Sequence, residues 1–68
     1  MIKVLKNRVK EYRLKKNLTQ EGLGQQVNVS RQTIISIERY RYKPTLELGM
    51  KIALKLGVKV EELFYFEA

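Results

Sequence analysis

The chain has 68 residues, contains neither cysteine nor histidine, and carries a formal net charge of +7. This length allows one domain at most, so we expect a single domain over residues 1–68. Without cysteine there are no disulfides, which suits a reducing compartment. Because histidine and aspartate are absent too, the chain offers no ordinary zinc ligand set and no histidine-based nucleophile. We therefore expect no enzyme, no metal and no cofactor.

The positive charge is concentrated in the first two-thirds of the chain. Residues 1–43 hold eleven Lys and Arg against three Glu, whereas residues 44–68 hold three against four. A one-sided basic surface attracts polyanions, nucleic acid first and acidic membrane second, although charge can also serve solubility alone. No stretch approaches the roughly 18–20 apolar residues of a membrane span, and the N-terminus lacks the apolar region of a signal peptide. The sequence therefore predicts a cytoplasmic protein without a membrane partner.

Two helices are predicted in the first part of the chain. The first covers residues 7–16, with Val9 and Tyr12 facing inward at helical spacing. Thr19 is a good N-cap for a second helix over residues 20–27, because its hydroxyl can accept a hydrogen bond from an unpaired amide of the first turn. This second helix contains two glycines, so it depends on packing for its stability.

A tight corner and a third helix follow. Asn28 is one of the few non-glycine residues that accept a left-handed backbone, which suits a turn at this point. Ser30 then caps a third helix over residues 31–39. A basic and aromatic loop, residues 40–44, ends this part of the chain.

The C-terminal part adds a fourth helix and a short fifth one. Thr45 caps residues 46–56, and Gly57 is a natural terminator. Residues 60–63 add one helical turn. The predicted fold class is therefore all-α, with five helices.

The two ends of the chain leave an alternative open. Ile2 and Val4 alternate with Lys3, and residues 63–66 are strongly β-prone. The termini either pair as a small antiparallel ribbon or remain as frayed coil.

The third helix carries the residues that indicate a function. On a helical wheel Gln32, Ser36 and Arg39 share one face, and Ile34 and Ile37 lie on the opposite side. Two isoleucines therefore anchor this helix while amide, hydroxyl and guanidinium groups point outward. These groups suit the edges of DNA bases, with glutamine pairing to adenine and arginine to guanine.

Three more residues border this face. Arg31 and Ile35 lie on one side of it and Thr33 lies on the other. Ile35 adds a large apolar group near the outward face. It either touches thymine methyl groups or packs beside the second helix.

These motifs resemble the phage-repressor helix-turn-helix family, the Cro and lambda-repressor type that is also labelled XRE. The resemblance covers residues 7–64 and is carried by Thr19-Gln20, Leu23, the run Val29-Ser30-Arg31-Gln32-Thr33-Ile34, and Ile37-Glu38. Length and termini are most similar to compact stand-alone members of the cytolysin-repressor type. The chain departs from the family pattern at Gly24, where alanine is usual, and at Asn28, which replaces the turn glycine.

The resemblance implies a lambda-repressor-like domain and a role for each matching position. The residues that would face base edges are Arg31, Gln32 and Ser36, to which the helical wheel adds Ile35. The residues that would contact phosphates are Gln20, Thr33, Arg39, Arg41 and Lys43, which Tyr40 or Tyr42 would assist. Arg13 and Glu38 match a structural pair that bridges the first and third helices.

Three of these roles have plainer alternatives. Gln20 can simply fill the first position of a helix, and Thr33 can be an ordinary helix surface residue. Tyr42 can pack against the fourth helix instead of touching DNA. Tyr12, Leu18, Leu23, Val27, Val29, Ile34 and Ile37 are expected to form the core.

A dimer is expected because one recognition helix reads too few base pairs to select a genomic site. Two-fold dimers place their half-sites about 34–36 Å apart. On the fourth helix only Glu47, Lys51 and Lys55 are charged, which leaves a wider apolar arc than one core face needs. The surplus, predicted as a dimer interface, includes Leu54, Val58, Val60, Phe64 and Phe66. The alternative is that this small domain uses the whole arc for its own core.

The sequence thus predicts a transcriptional regulator, a repressor, that binds a palindromic double-stranded DNA operator as a homodimer. An antitoxin would use the same domain to bind a toxin, usually through an extra segment, a role that only the C-terminal aromatic residues could fill here. A restriction–modification controller protein would differ in genomic context alone. A binder of RNA or of a membrane surface would use the basic face without the recognition helix.

Overall fold

The computed structural model describes residues 4–67. These residues form five helices and a two-stranded ribbon, in the order β1 (Val4–Asn7), α1 (Val9–Lys15), α2 (Gln20–Val27), α3 (Arg31–Glu38), α4 (Leu46–Leu56), α5 (Val60–Leu63) and β2 (Phe64–Glu67). The prediction of five helices is confirmed, and the bounds of α2, α4 and α5 agree with it. Within the described part of the chain, no helix combines the length and apolar content that a bilayer crossing needs.

The ends of the described chain pair as an antiparallel ribbon, which decides between the two predicted alternatives. Val4 lies opposite Glu67 and Asn7 lies opposite Phe64. The predicted contribution of Ile2 and Lys3 lies outside the described residues. The ribbon joins the start of α1 to the end of α5.

The predicted start of the first helix at Asn7 is wrong. Asn7 belongs to β1, and α1 begins two residues later at Val9. The backbone N–H of Arg8 donates to the carbonyl oxygen of Leu63 over 2.8 Å, which keeps the chain in the ribbon up to this point. The Asn7 side chain then accepts a hydrogen bond from the Val9 N–H over 3.1 Å. Contacts with a distant part of the chain therefore delay the helix.

Local sequence signals set most of the other helix ends. Thr19, Ser30 and Thr45 each accept a hydrogen bond from a backbone N–H three residues later, as N-caps do. Asn28 ends α2 with φ 63°, and Gly57 ends α4 with φ 72°. α1 and α3 each end one residue earlier than predicted, because Lys16 and Arg39 are the C-caps of these helices instead of continuing them.

The core lies where α2, α3 and α4 meet, and α1 and α5 close it. Its fully buried apolar side chains are Val9, Leu23, Val27, Ile34, Ile37, Ile52, Ala53, Leu56 and Leu63. Tyr12, Leu18 and Val29, also predicted as core, pack against this cluster and are half-buried. Because Ile34 and Ile37 are both in the core, the rotation of the third helix about its axis is fixed.

Candidate nucleic-acid interface

The third helix presents a polar face to solvent, in the orientation that the helical wheel predicts. Ile34 and Ile37 are completely buried, whereas Gln32 is exposed and Ser36 is half-buried. The amide nitrogen of Gln32 lies 3.5 Å from the Ser36 hydroxyl, so the two side chains occupy adjacent positions one turn apart. The centre of this face is therefore uncharged and rich in hydrogen-bonding groups.

Positive charge and one apolar group border this polar centre. Arg31 is exposed at the N-terminal end of α3, and Arg39 is exposed just beyond its C-terminal end. Ile35 is half-buried, so part of its side chain contacts the protein and part remains accessible. A base pair approaching the helix would meet an amide, a hydroxyl and a methyl-bearing surface between two guanidinium groups.

The turn between α2 and α3 is tight, and Gly24 makes it possible. The N–H of Val29 donates to the carbonyl oxygen of Gly24 over 2.9 Å. A Cβ atom built on Gly24 would lie 2.7 Å from the carbonyl oxygen of Val29, closer than real Cβ atoms come. Glycine thus allows the turn to lie directly against α2.

A buried ion pair holds α1 and α3 together. The Nε of Arg13 lies 2.7 Å from Oε2 of Glu38, and its Nη2 lies 3.3 Å from Oε1. A third donor, Nη1, reaches the carbonyl oxygen of Leu18 over 2.8 Å. The side chains of Arg13 and Glu38 are only 7% and 4% exposed. The two residues predicted to form a structural pair therefore lie in bidentate contact beneath the recognition helix.

Gln20 is part of the same network. Its amide nitrogen donates to Oε1 of Glu38 over 3.1 Å, and the residue is half-buried at the first position of α2. This contact joins α2 to α3 and uses one of the two amide hydrogens of Gln20. The other hydrogen and the backbone N–H groups of the first two residues of α2 remain as donors for an anion, whereas the Gly22 N–H is bonded to the Thr19 hydroxyl.

Thr33 borders the polar face of α3 on the side opposite to Arg31 and Ile35. Its backbone N–H donates to the Ser30 hydroxyl over 3.1 Å, and the two hydroxyl groups lie 3.0 Å apart. Thr33 is half-buried, and it lines an open groove together with Gln32 and Tyr42. Leu48 of α4 lines the same groove, so Tyr42 lies between the recognition helix and α4.

The loop after α3 folds back onto the helix. The N–H groups of Arg41 and Tyr42 both donate to the carbonyl oxygen of Ser36, over 2.9 Å and 3.3 Å. Arg39, Arg41 and Lys43 are all exposed. The loop therefore adds three cationic side chains beyond the C-terminal end of the recognition helix.

One basic residue near this surface was not among the sequence-predicted contacts. Lys10 lines an open depression of about 580 Å³ together with Thr19, Gln20 and Arg31. The only signal in the sequence is that Lys10 shares the outer face of the first helix with other basic residues, Arg8, Lys15 and Lys16. The fold brings that face next to the start of α2, which local patterns do not reveal.

The predicted dimer residues divide into two groups. Leu54 is 78% exposed and Phe66 is 67% exposed, so both are available to a partner. Val58, Val60 and Phe64 are half-buried and pack against the core of this same chain. Two exposed residues that the prediction did not name, Leu46 and Met50, precede Leu54 on the same side of α4 at intervals of four residues.

A profile of the family described as helix-turn-helix matches residues 9–63, which is most of the chain and includes all five helices. The chain belongs to this family of DNA-binding transcriptional regulators, of the Cro and lambda-repressor type.

Related proteins agree with this assignment. An uncharacterized HTH-type transcriptional regulator of Methanocaldococcus jannaschii is 52% identical over 63 residues, covering 93% of this chain and 96% of its own. The immunity repressor protein of Bacillus phage phi105 is 38% identical over 56 residues, and this chain matches 82% of its own length but only 39% of that repressor. The restriction-modification controller protein C.AhdI from Aeromonas hydrophila superposes with a TM-score of 0.75 at 29% identity, covering 81% of this chain and 80% of the other.

Proposed function

We propose that this protein represses transcription by occupying a palindromic duplex DNA operator as a homodimer. The observation that carries the proposal is the orientation of α3, with Ile34 and Ile37 buried and Gln32 turned to solvent. The base-contacting residues would be Arg31, Gln32, Ser36 and Ile35. The phosphate-contacting residues would be Gln20, Thr33, Arg39, Arg41 and Lys43.

The charge pattern of the surface supports this division of roles. Phosphate contacts supply affinity and register, whereas base contacts choose the sequence. Gln32 and Ser36 are uncharged and lie at the centre of the exposed face, and the arginines and Lys43 lie at its borders. An α-helix with this arrangement fits the major groove, where side chains reach base edges and flanking cations reach the two backbones.

The proposed dimer surface begins on α4. Leu46, Met50 and Leu54 form an apolar stripe along two turns of the helix, and they are 73%, 54% and 78% exposed. Residues four apart lie on the same side of a helix, so the three side chains form one continuous surface. A contiguous exposed apolar surface on a small protein indicates a contact with another molecule.

The stripe continues onto the ribbon. Leu46 lines an apolar cavity of about 150 Å³ together with Leu5, Val60 and Phe64. Leu5 lies directly opposite Phe66 in the ribbon, and residues paired in this way point to the same face. The apolar surface therefore extends from Leu54 through the cavity to Phe66.

A second copy of this chain is the occupant that the charge distribution favours. Residues 44–68, which carry most of the apolar surface, are nearly neutral, whereas residues 1–43 hold the excess of positive charge. Two copies can therefore meet through their C-terminal parts without strong repulsion and keep both basic faces free. A two-fold interface of this kind uses the same patch on both subunits and presents two recognition helices to one duplex.

A controller protein of a restriction–modification system is a second candidate function, favoured by the likeness to C.AhdI. Both functions use the same DNA-binding dimer. They differ in the genes that flank the operator, so mapping the sites bound on the genome distinguishes them.

Replacing Gln32 with alanine tests the recognition face. On an operator selected from random duplexes, Gln32→Ala is expected to lose about 1–3 kcal/mol of binding free energy and to relax the choice of base at one position of each half-site. On random duplex its affinity is expected to remain that of the wild type. Fluorescence anisotropy on both duplexes measures the two effects. Gln26→Ala, a loss of the same exposed amide on α2, is the matched control and should change neither.

Replacing Lys43 with alanine is expected to have the complementary effect. Binding should weaken equally on operator and random duplex, because a phosphate contact carries no sequence information. The slope of log affinity against log salt should become shallower by about 0.9, the value for one neutralised phosphate. Equal losses on both duplexes from Gln32→Ala, or a loss confined to the operator from Lys43→Ala, would reverse the assigned roles.

A further inference from the structure

Tyr40 has a backbone conformation that its side chain disfavours. Its φ is 62°, in the left-handed region. Asn17 and Asn28 also have positive φ, but asparagine tolerates this region, whereas a bulky residue there is strained. Strain of this kind persists only where surrounding contacts hold it, and it clusters at functional positions.

The contacts that hold Tyr40 come from the ribbon. Its hydroxyl donates to the backbone carbonyl oxygen of Asn7 over 3.5 Å. The Nζ of Lys6 lies 5.8 Å from the centre of the Tyr40 ring, within the range of a cation–π interaction. Lys6 in turn pairs with Glu67 on the other strand. The Tyr40 ring therefore leans toward β1, and its hydroxyl is already used within the protein.

Asn7 makes a second tie between the ribbon and the end of the recognition helix. Its side-chain amide donates to the carbonyl oxygen of Ile37 over 2.9 Å. The same carbonyl oxygen also accepts a hydrogen bond from the backbone N–H of Tyr40 over 3.0 Å, so the Asn7 amide is its second donor. One residue of β1 thus contacts both Ile37 and Tyr40.

The position of Tyr40 in the loop means that these contacts also affect the course of the chain after α3. Tyr40 lies between Arg39 and Arg41, both exposed, and its left-handed backbone reverses the chain so that the Arg41 and Tyr42 N–H groups reach the carbonyl oxygen of Ser36. The direction in which Arg41 leaves the backbone relative to α3 therefore depends on the conformation of Tyr40. Arg39 is placed by α3 itself, because its N–H donates to the carbonyl oxygen of Ile35 over 3.1 Å. Ordering a long side chain before binding lowers the entropy lost when it contacts a phosphate.

We infer that Tyr40 is a positioning residue, whose ring and hydroxyl bind β1 and so fix the turn that directs Arg41 toward a DNA phosphate. The inference rests on the proposed function, because it assumes that Arg41 contacts DNA. It assigns Tyr40 no phosphate contact of its own.

Tyr40→Gly tests this role without adding strain, because glycine adopts positive φ readily. Its affinity is expected to fall about three- to tenfold on operator and random duplex alike. Its salt slope is expected to become shallower by about 0.9, as one arginine loses its ordered phosphate contact. Tyr40→Phe keeps the ring over Lys6 and should remain closer to the wild type in both respects.

Two binding outcomes would overturn the inference. If the Tyr40 hydroxyl contacts a phosphate directly, Tyr40→Phe will lose as much affinity as Tyr40→Gly, and the salt slope will not change because a neutral group releases no counterion. If Tyr40 serves stability alone, Tyr40→Gly will unfold at lower temperature while the folded protein binds with unchanged affinity and slope.

A double-mutant cycle adds a direct measure of coupling. Arg41→Ala is expected to weaken binding less in the Tyr40→Gly protein than in the wild type, because both changes remove the same ordered contact. Additive losses would contradict the inference.

Amide hydrogen exchange tests whether Tyr40 fixes this turn in the free protein. Tyr40→Gly should speed exchange at the Arg41 and Tyr42 N–H groups about tenfold, and exchange in α4 should be unchanged. Unchanged exchange at Arg41 and Tyr42 would overturn the inference about Tyr40 while the proposed function stands. If the wild type binds no duplex DNA, the proposed function itself fails, and the role of Tyr40 fails with it.

Discussion

Replacing Glu38 with alanine is expected to destabilise the protein by about 3–5 kcal/mol, because it leaves the Arg13 guanidinium buried without its counter-ion. Both side chains are more than nine-tenths buried, so water cannot replace the lost carboxylate. A domain of this size seldom has more than about 3–5 kcal/mol of net stability. Urea unfolding followed by circular dichroism should therefore show a variant that is largely unfolded without denaturant.

Two further variants show whether the expected loss of stability comes from leaving a charge buried without its partner. Lys15→Ala breaks the exposed ion pair with Glu11, where both side chains are more than half exposed, and should cost less than about 0.5 kcal/mol. The double variant Arg13→Met with Glu38→Leu fills the same space without charge and should recover most of the lost stability. A loss below about 1 kcal/mol for Glu38→Ala would contradict this account of how α1 and α3 are joined.

Replacing Leu54 with glutamate is expected to abolish the proposed dimer and to weaken operator binding by about 100-fold or more. Leu54 is 78% exposed, so the fold should tolerate the charge, whereas two copies would bring two carboxylates into an apolar interface. A monomer retains one recognition helix and loses the avidity of two linked half-sites, which is worth about 10²–10⁴ in affinity. Analytical ultracentrifugation and operator titration measure the two effects.

Leu14→Glu is the matched control for this experiment. Leu14 is 54% exposed on α1, outside the apolar stripe, and the substitution makes the same change of charge. It should leave the sedimentation coefficient unchanged and weaken operator binding far less than Leu54→Glu. A Leu54→Glu protein that sediments like the wild type would show that the stripe on α4 does not join two copies.

Most of the fold could be predicted because the residues that begin and end its helices act locally. Thr19, Ser30 and Thr45 cap helices with side-chain oxygens three residues from their donors, so short sequence windows contain the signal. The rotation of α3 follows in the same way from the spacing of Ile34 and Ile37. The polar face of the candidate site could therefore be predicted without a structure.

The features that were missed depend on contacts between distant parts of the chain. Asn7 reads as the start of a helix, but its pairing with Phe64 places it in a strand. The hydrogen bond from Gln20 to Glu38 spans 18 residues, and the one from Tyr40 to Asn7 spans 33. No local pattern predicts that either side chain is used within the protein.

The proposed dimer surface could be predicted from the sequence only in part. The helical wheel identifies an apolar arc on α4 that is wider than one core needs, but it does not show which part the core uses. The structure buries Ile52, Ala53 and Leu56 and leaves Leu46 and Met50 exposed. Packing against α1, α2 and α5 decides between these positions.

Selection of bound duplexes from a random pool tests the central claim most directly, namely that Gln32 and its neighbours on α3 read bases. The wild type should enrich a two-fold symmetric sequence whose half-sites are centred about 34–36 Å apart, or a multiple of this distance. Gln32→Ala should enrich a sequence that has lost its preference at one position of each half-site. Recovery of duplexes with no shared sequence by the wild type, or of the same sequence by both proteins, would contradict the claim.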